Sequence, residues 1–414
     1  MTHLTLREHQ WCPVSDAGPM TERRAALLEA LAKNWPAGAL EWRRHSFKFA
    51  GFCGVVRVDG LVIEVLPKIT AENVPEATAR GVLVNMLRAT GTFPAELPGG
   101  ASLHTERHHL LDTFILAFCR QVSRELVQGV IRRYRELEEN LTAVRGRIDF
   151  VQQVRRNLVH QERVACRYEE LSADNPYNRV LKAVLLRLAR VSAALDVRRA
   201  VNELQIRLAE VTDVPVTRQD VQALTFDRSN RRWENVFRQC EWLLAGFGPS
   251  VAAGRNESVA LLFDMNFLFE AWVTRQWRRW CAPLGYTLSA QDRGRCLAQD
   301  SAGKNAFPLR PDIVIRDGEN KVVQILDAKW KQPGENLAGI SQADVYQMTA
   351  YAQAYQCPSL GLIYPGWQDA LLEIENYRLN GRDVRLALWR CPLGQGRFEY
   401  SSNPLVNTLI GSNP

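Results

Sequence analysis

The chain has 414 residues, 46% hydrophobic and 23% charged, enough for two or three domains that each bury a core, which excludes disordered and fibrous architectures. No run reaches the apolar length of a membrane-spanning helix, and Met1-Thr2-His3-Leu4 does not open a basic-then-apolar leader, so a cytoplasmic protein is expected. A net charge of +7 favours polyanionic partners without specifying a fold.

Residues 21 to 34 have helical spacing, with Thr21 as N-cap and Pro36 beyond the end. Cys53 to Val58 and Leu61 to Leu66 flank Asp59-Gly60, a strong hairpin signal. A β-rich domain over 1–75 is expected, with a mainly helical region over 76–250. Helices are predicted from Thr78 to Leu87, His109 to Arg135, Asn178 to Val191 and Asn230 to Leu244. The glycines and proline of 246–254 mark a boundary before a C-terminal domain over 255–414. There a helix from Asp264 to Trp280 precedes strands Leu309 to Arg316 and Lys321 to Lys331. Ser341 to Asp344 then opens a capped helix, and strands follow at Leu360 to Tyr364 and Val384 to Arg390. This order predicts a mixed α/β sheet, and the whole chain an α/β and α+β multidomain protein.

The hairpin carries the chemistry. A two-residue Gly318-Glu319 turn would pair Asp312 with Ile325 and bring Asp312, Asp327 and Lys329 to one face. Two converging carboxylates repel unless a cation lies between them, and oxygen donors suit Mg2+, with Mn2+ as an alternative. Asp327-Ala328-Lys329 ends the apolar run Val322 to Leu326, where a buried strand emerges; a solvent-facing ribbon with weak ion pairs is the plainer alternative. Glu270, on the preceding helix, could reach the same cation. All seven histidines lie at or before His160, so chemistry in the C-terminal domain runs without imidazole.

With Pro311-Asp312 and Asp327-Ala328-Lys329, the chain resembles the McrC family, the nuclease subunit of McrBC-type restriction systems. The resemblance extends to the segments Phe263 to Glu270, Gly54 to Ile69 and Arg145-Gly146-Arg147, and to Asp174, Asn175 and Asn178. It implies a PD-(D/E)xK nuclease fold flanked by helices. Asp312, Asp327 and the Ala328 carbonyl would be the metal ligands, Lys329 the catalytic lysine and Glu270 an accessory carboxylate. Asp344, Tyr346 and Gln347 would support the site or touch DNA, although capping and surface exposure explain them equally well. It further implies cleavage of double-stranded DNA, directed to modified cytosine, together with an McrB-like AAA+ GTPase whose hydrolysis it stimulates, with 1–75 as the partner-binding domain. A non-cleaving adaptor and a stand-alone nuclease are the alternatives. The sequence carries no phosphate-binding loop: Gly303-Lys304 lacks the upstream glycine and the following hydroxyl, so GTP hydrolysis is expected from another chain.

Other features have plainer readings. Nine scattered cysteines, none in a Cys-x-x-Cys pair, read as reduced and buried thiols. His104, Glu106, His108 and His109 supply too few ligands for zinc. Arg228, Arg231, Arg232, Arg238, Arg275, Arg278 and Arg279 interleave with Trp233, Trp277 and Trp280, a pattern that suits nucleic acid but more often means buried tryptophan beneath a wet arginine face.

Overall fold

In a computed structural model the described residues are 2–68, 74–91, 109–192, 194–246, 258–331, 340–366, 372–380 and 383–393. The chain divides into one unit formed by Met1–Leu110 with Ala252–Pro414 and a second formed by Leu111–Val251.

The first unit opens with β1 (Thr2–Arg7), β2 (Cys12–Pro13), α1 (Glu22–Ala32), β3 (Leu40–Arg43), β4 (Ser46–Phe49), β5 (Phe52–Val58), β6 (Leu61–Leu66) and α2 (Glu76–Ala89). Thr21 caps α1 as expected, its hydroxyl accepting the Arg24 N–H. Asp59 and Gly60 take φ of 43° and 75°, the left-handed pair that a tight hairpin between β5 and β6 requires. Leu28 of α1 packs with Phe47, Phe49, Val56 and Ile63 in one apolar cluster.

The second unit begins in α3 (Leu110–Val127) and continues with β7 (Arg133–Leu141), β8 (Arg147–Ile148), α4 (Phe150–Asn157), β9 (Val164–Ser172) and α5 (Pro176–Val191). Helices α6 (Leu195–Arg207), α7 (Arg218–Gln222) and α8 (Glu234–Gly246) complete it. Here the structure corrects the sequence reading, because the helix predicted to Arg135 stops at Val127 and the region contains a sheet of order β7-β9-β8. The strand Arg-Tyr-Arg-Glu-Leu-Glu-Glu-Asn-Leu is mostly exposed and lacks the alternation of a half-buried strand. This unit also displays large apolar side chains in water, including Tyr134, Phe150, Val151, Val154, Leu158 and Leu171.

Returning to the first unit, β10 (Val259–Asp264) pairs antiparallel with β5 and completes a sheet of order β1-β6-β5-β10. The strand after the 246–254 segment therefore belongs to the N-terminal sheet, which is why the chain folds back into one unit. Gly54 has φ 143°, and a Cβ there would lie 2.0 Å from the Leu261 carbonyl oxygen, so only glycine allows β5 and β10 to meet.

Asp264 then caps α9 (Met265–Cys281), whose buried stripe includes Phe269, Trp272, Trp277 and Trp280. Strands β11 (Thr287–Ala290), β12 (Cys296–Gln299), β13 (Asn305–Pro308), β14 (Ile313–Arg316) and β15 (Val322–Ala328) precede α10 (Gln342–Tyr355). After it come β16 (Ser359–Gly366), β17 (Leu372–Arg378) and β18 (Arg385–Pro392). Six of these strands form a mixed sheet of order β11-β14-β15-β16-β18-β17, with β15, β16 and β18 mutually parallel. Met348, Tyr351 and Tyr355 of α10 pack on Val314, Ile325, Leu360 and Leu362.

All nine cysteines are unpaired and eight are buried, as expected. Among the described residues no helix is long and apolar enough to cross a membrane. Residues 104–108, with most of the histidine cluster, lie outside the described residues. Trp233, Trp277 and Trp280 are buried, so the plainer reading of the tryptophans holds.

Candidate metal and catalytic site

Strands β14 and β15 are buried because their apolar runs lie inside the six-stranded sheet, with β15 bonded to β14 on one side and β16 on the other. The turn between them differs from the expected two-residue loop. Asn320 donates its N–H to the Asp317 carbonyl at 3.1 Å, Asp317 donates to the Lys321 carbonyl at 3.0 Å, and Asn320 has φ 65°. This is a three-residue turn closed by a left-handed asparagine. A further irregularity at Ile315/Arg316 sets Ile313 opposite Leu326, so the register continues to Asp312 opposite Asp327, not Ile325. The register moved by two residues, which preserves the face.

Asp312 and Asp327 thus converge. One Asp312 oxygen accepts the Ala328 N–H at 2.8 Å. The Lys329 N–H bonds the Ile363 carbonyl at 2.8 Å, carrying the ladder one residue past β15. Its ammonium lies 2.8 Å from Asp327 and 3.7 Å from Asp344, and donates to Gln347 Oε1 at 3.1 Å. Gln347 in turn donates to the Tyr351 hydroxyl at 2.7 Å. Asp344 pairs with Lys331 and also closes the capping box of α10 with Ser341. Tyr346 is exposed and Glu270 is held by the Gln291 side chain.

Electrostatics identify the strained groups. Burial, then the charges of Asp327 and Glu270, push the Asp312 carboxyl up to about 8 against the Ala328 N–H and Lys329. Burial also raises Asp327, opposed by Lys329, and raises Glu270, opposed by Gln291 and Arg310. Lys329 is pushed down by burial, yet Asp327, Asp344 and Asp312 outweigh this and hold it charged. Two facing carboxylates with one lysine make it costly to ionise both at once, a cost that a hard cation between them would relieve. The oxygen donors Asp312, Asp327 and the Ala328 carbonyl fit Mg2+. Among the described residues no three His, Cys, Asp or Glu gather into a ready cage, so Glu270 is not a third ligand in a preformed cluster. Magnesium accommodates this because it usually keeps several waters.

One participant, Gln291, and one contact next to the site, at Glu8, were not legible in the sequence. Gln291, at φ 50°, donates its backbone N–H to the Asp312 carbonyl at 2.9 Å while its side chain holds Glu270. Glu8, after β1, accepts the Trp330 indole N–H at 2.8 Å and the Lys68 N–H at 3.0 Å, beside the tilted ring pair Phe269 and Trp330. Both depend on partners far away in the chain, beyond the reach of local patterns.

Glu8 is 2% exposed, and burial pushes its carboxyl up to about 7 against these hydrogen bonds. Since its folded pKa exceeds the unfolded value of 4.5, ionisation weakens the fold as pH rises from about 4.5 through 7. The stability of Glu8→Gln relative to the parent is therefore expected to rise by about 2–3 kcal/mol between pH 5 and pH 8. Denaturant unfolding at both pH values measures this; an equal difference at each would refute it.

The model of the McrBC 5-methylcytosine restriction system component family matches residues 47–365. The chain belongs to this family. It is 23% identical over 309 residues to the type IV methyl-directed restriction enzyme EcoKMcrBC of Escherichia coli K12, covering 67% of this chain and 83% of that protein. Its fold matches a chain of the refined half-complex from the tetradecameric assembly of Thermococcus gammatolerans McrB AAA+ hexamers with bound McrC. The TM-score is 0.77 at 18% identity, covering 99% of this chain and all of the other. A chain of the cryo-EM McrBC complex of the same organism matches at TM-score 0.55 and 20% identity, over 67% of this chain and 88% of that one. The mixed α/β multidomain architecture expected from the sequence thus has a solved counterpart.

Proposed function

We propose that this chain is the DNA-cutting subunit of a GTP-driven restriction complex directed to modified cytosine, with its C-terminal sheet acting as a PD-(D/E)xK nuclease domain. The observation that carries the reading is the mutually opposed pair of half-buried Asp312 and buried Asp327, with Lys329 2.8 Å from Asp327. Asp312, Asp327 and the Ala328 carbonyl would hold magnesium or manganese, with Glu270 acting through water. The bound cation supplies Lewis acidity toward a phosphate oxygen and makes water a better nucleophile at neutral pH. Lys329, fixed by Asp327 and Gln347, orients the attacking water and stabilises developing negative charge. Asp344 and Gln347 act as positioning residues through Lys329 and Lys331.

The lack of a phosphate-binding loop in the sequence supports a partner as the source of GTP hydrolysis, in keeping with the McrB AAA+ hexamers in the matched assembly. The exposed apolar side chains of β7, α4 and β9 favour the second unit as the partner surface, whereas β5 and β6 within 1–75 bury almost all of theirs.

The test is reconstitution with the AAA+ GTPase on DNA carrying modified cytosine. Cleavage is expected with Mg2+ and is expected to stop with a chelator while GTP hydrolysis is followed separately. Undiminished cutting in chelator would sink the metal assignment. GTPase stimulation without cutting would favour an adaptor, and robust cutting by this chain alone a stand-alone nuclease.

A further inference from the structure

Beside the candidate site, α9, the end of α2 and the end of β11 enclose an open cavity of about 770 Å³. Glu270 and Gln291 stand at one side, and Gln291 is tied through its backbone to Asp312, so the cavity adjoins the paired carboxylates. Arg275, Arg278 and Arg279 line it further along the helix, all three exposed. Glu270 is the single acid among the lining residues. Arg275 donates to the carbonyls of Arg88 and Ala89, which braces the wall where α2 ends. Phe267 turns 60% of its surface outward at the rim.

The spacing suits a polyanion. With a rise of about 1.5 Å per residue, Arg278 and Arg279 stand roughly 12–14 Å along the axis from Glu270. A DNA strand advances about 3.4 Å per nucleotide along the duplex axis, so for α9 lying along that axis this distance corresponds to roughly three or four nucleotides. Their guanidinium groups can engage phosphate oxygens in pairs.

We propose that this cavity seats the DNA backbone flanking the scissile phosphate, with Arg278 and Arg279 bound to phosphates a few nucleotides away and Phe267 packed on a sugar or base. The assignment rests on the nuclease reading and deepens it, since it fixes the direction in which the substrate strand leaves the carboxylates. Phosphate contacts position DNA without reading its sequence, so the affinity they confer is the same for modified and unmodified duplexes.

The experiment compares the full chain with Arg278→Gln/Arg279→Gln and Arg278→Lys/Arg279→Lys, using fluorescence anisotropy with a labelled duplex over a range of salt. The glutamine pair is expected to bind about 10- to 100-fold more weakly at low salt and to lower the slope of log affinity against log salt by about 1.8. The lysine pair is expected to retain the slope. All three proteins are expected to melt together, because both side chains are exposed. An unchanged slope in the glutamine pair overturns the proposal, as does absence of duplex binding by the parent chain at low salt. Cleavage by the reconstituted complex separates the two readings. If the parent and the glutamine pair cut equally, the cavity assignment fails and the nuclease stands. If the parent never cuts while the binding loss is present, the nuclease reading fails and the phosphate contacts remain.

Discussion

Asp327→Asn is expected to lower DNA cleavage by the reconstituted complex by about 10³-fold or more while leaving its melting temperature unchanged or raised. The two halves of this expectation have one cause. Asp327 is buried opposite a half-buried Asp312, and the Asp327 charge raises the cost of ionising Asp312. Removing one charge relieves that repulsion, so the fold loses little. On the proposed nuclease reading the same removal takes away a ligand of the cation, whose stabilisation of transition-state charge would be worth several kcal/mol, and about 4 kcal/mol corresponds to a factor of 10³. Lys329 keeps Asp344 at 3.7 Å and Gln347 at 3.1 Å, so its ammonium is not stranded by the substitution. A purely structural role for Asp327 predicts the reverse, with stability falling and any loss of cleavage following the loss of folded protein. Calorimetry and cleavage rates on the same preparation separate these outcomes. Cleavage within tenfold of the parent would remove Asp327 from the catalytic centre, and preserved GTPase stimulation in the variant would confine the defect to cutting.

Much of the surrounding fold is legible because its signals are local. Thr21, Asp264 and Ser341 each cap a helix whose first turn lies within three residues, and Asp59-Gly60 sets its own backbone angles. The apolar run before Asp327 is similarly explicit, since a strand buried on both faces must be apolar nearly throughout. The hairpin register was less accessible. It depends on left-handed Asn320 and on the irregularity at Ile315/Arg316, neither of which follows from the spacing of charged residues. The carboxylates nevertheless remain on one face, because a displacement of two residues leaves strand parity unchanged. By contrast, β7 is a polar, exposed strand rich in Glu and Arg, with no buried face to impose alternation, so its sequence reads as a continuation of the preceding helix. Gln291 reaches the site, and Glu8 reaches Trp330 beside it, through tertiary contacts, the second of them across most of the chain length. A period of 3.6 or of 2 carries no record of such partners.

Arg80→Ala is expected to destabilise the first unit by about 3–5 kcal/mol, the usual penalty for leaving a buried charge without its partner. Arg80 and Glu64 have side chains only 8% and 2% exposed, and they join α2 to β6 through two contacts, Nε to Oε1 at 2.8 Å and Nη2 to Oε2 at 2.7 Å. Glu64 also accepts the Leu110 N–H at 2.8 Å. Burial raises the Glu64 carboxyl, but hydrogen bonds from His109 and Arg80 outweigh it and hold the group below its ordinary value. A lowered folded pKa means that this stability is present above about 4.5 and is lost as pH falls through the folded value. The penalty of Arg80→Ala is therefore expected to shrink in acid, where Glu64 takes up a proton. The pair Arg80→Met/Glu64→Leu removes both charges and is expected to recover most of the loss, since well-packed apolar replacements are often neutral. Hydrogen exchange at β5 and β6, with denaturant unfolding, measures all three proteins. A cost below about 1 kcal/mol for Arg80→Ala at pH 7 would mean that water reaches Glu64. The consequence for catalysis runs through α2, because its last carbonyls brace Arg275 on the helix that carries Glu270. Loosening α2 should therefore weaken cleavage before the sheet itself unfolds, and the conservative pair should restore both properties together.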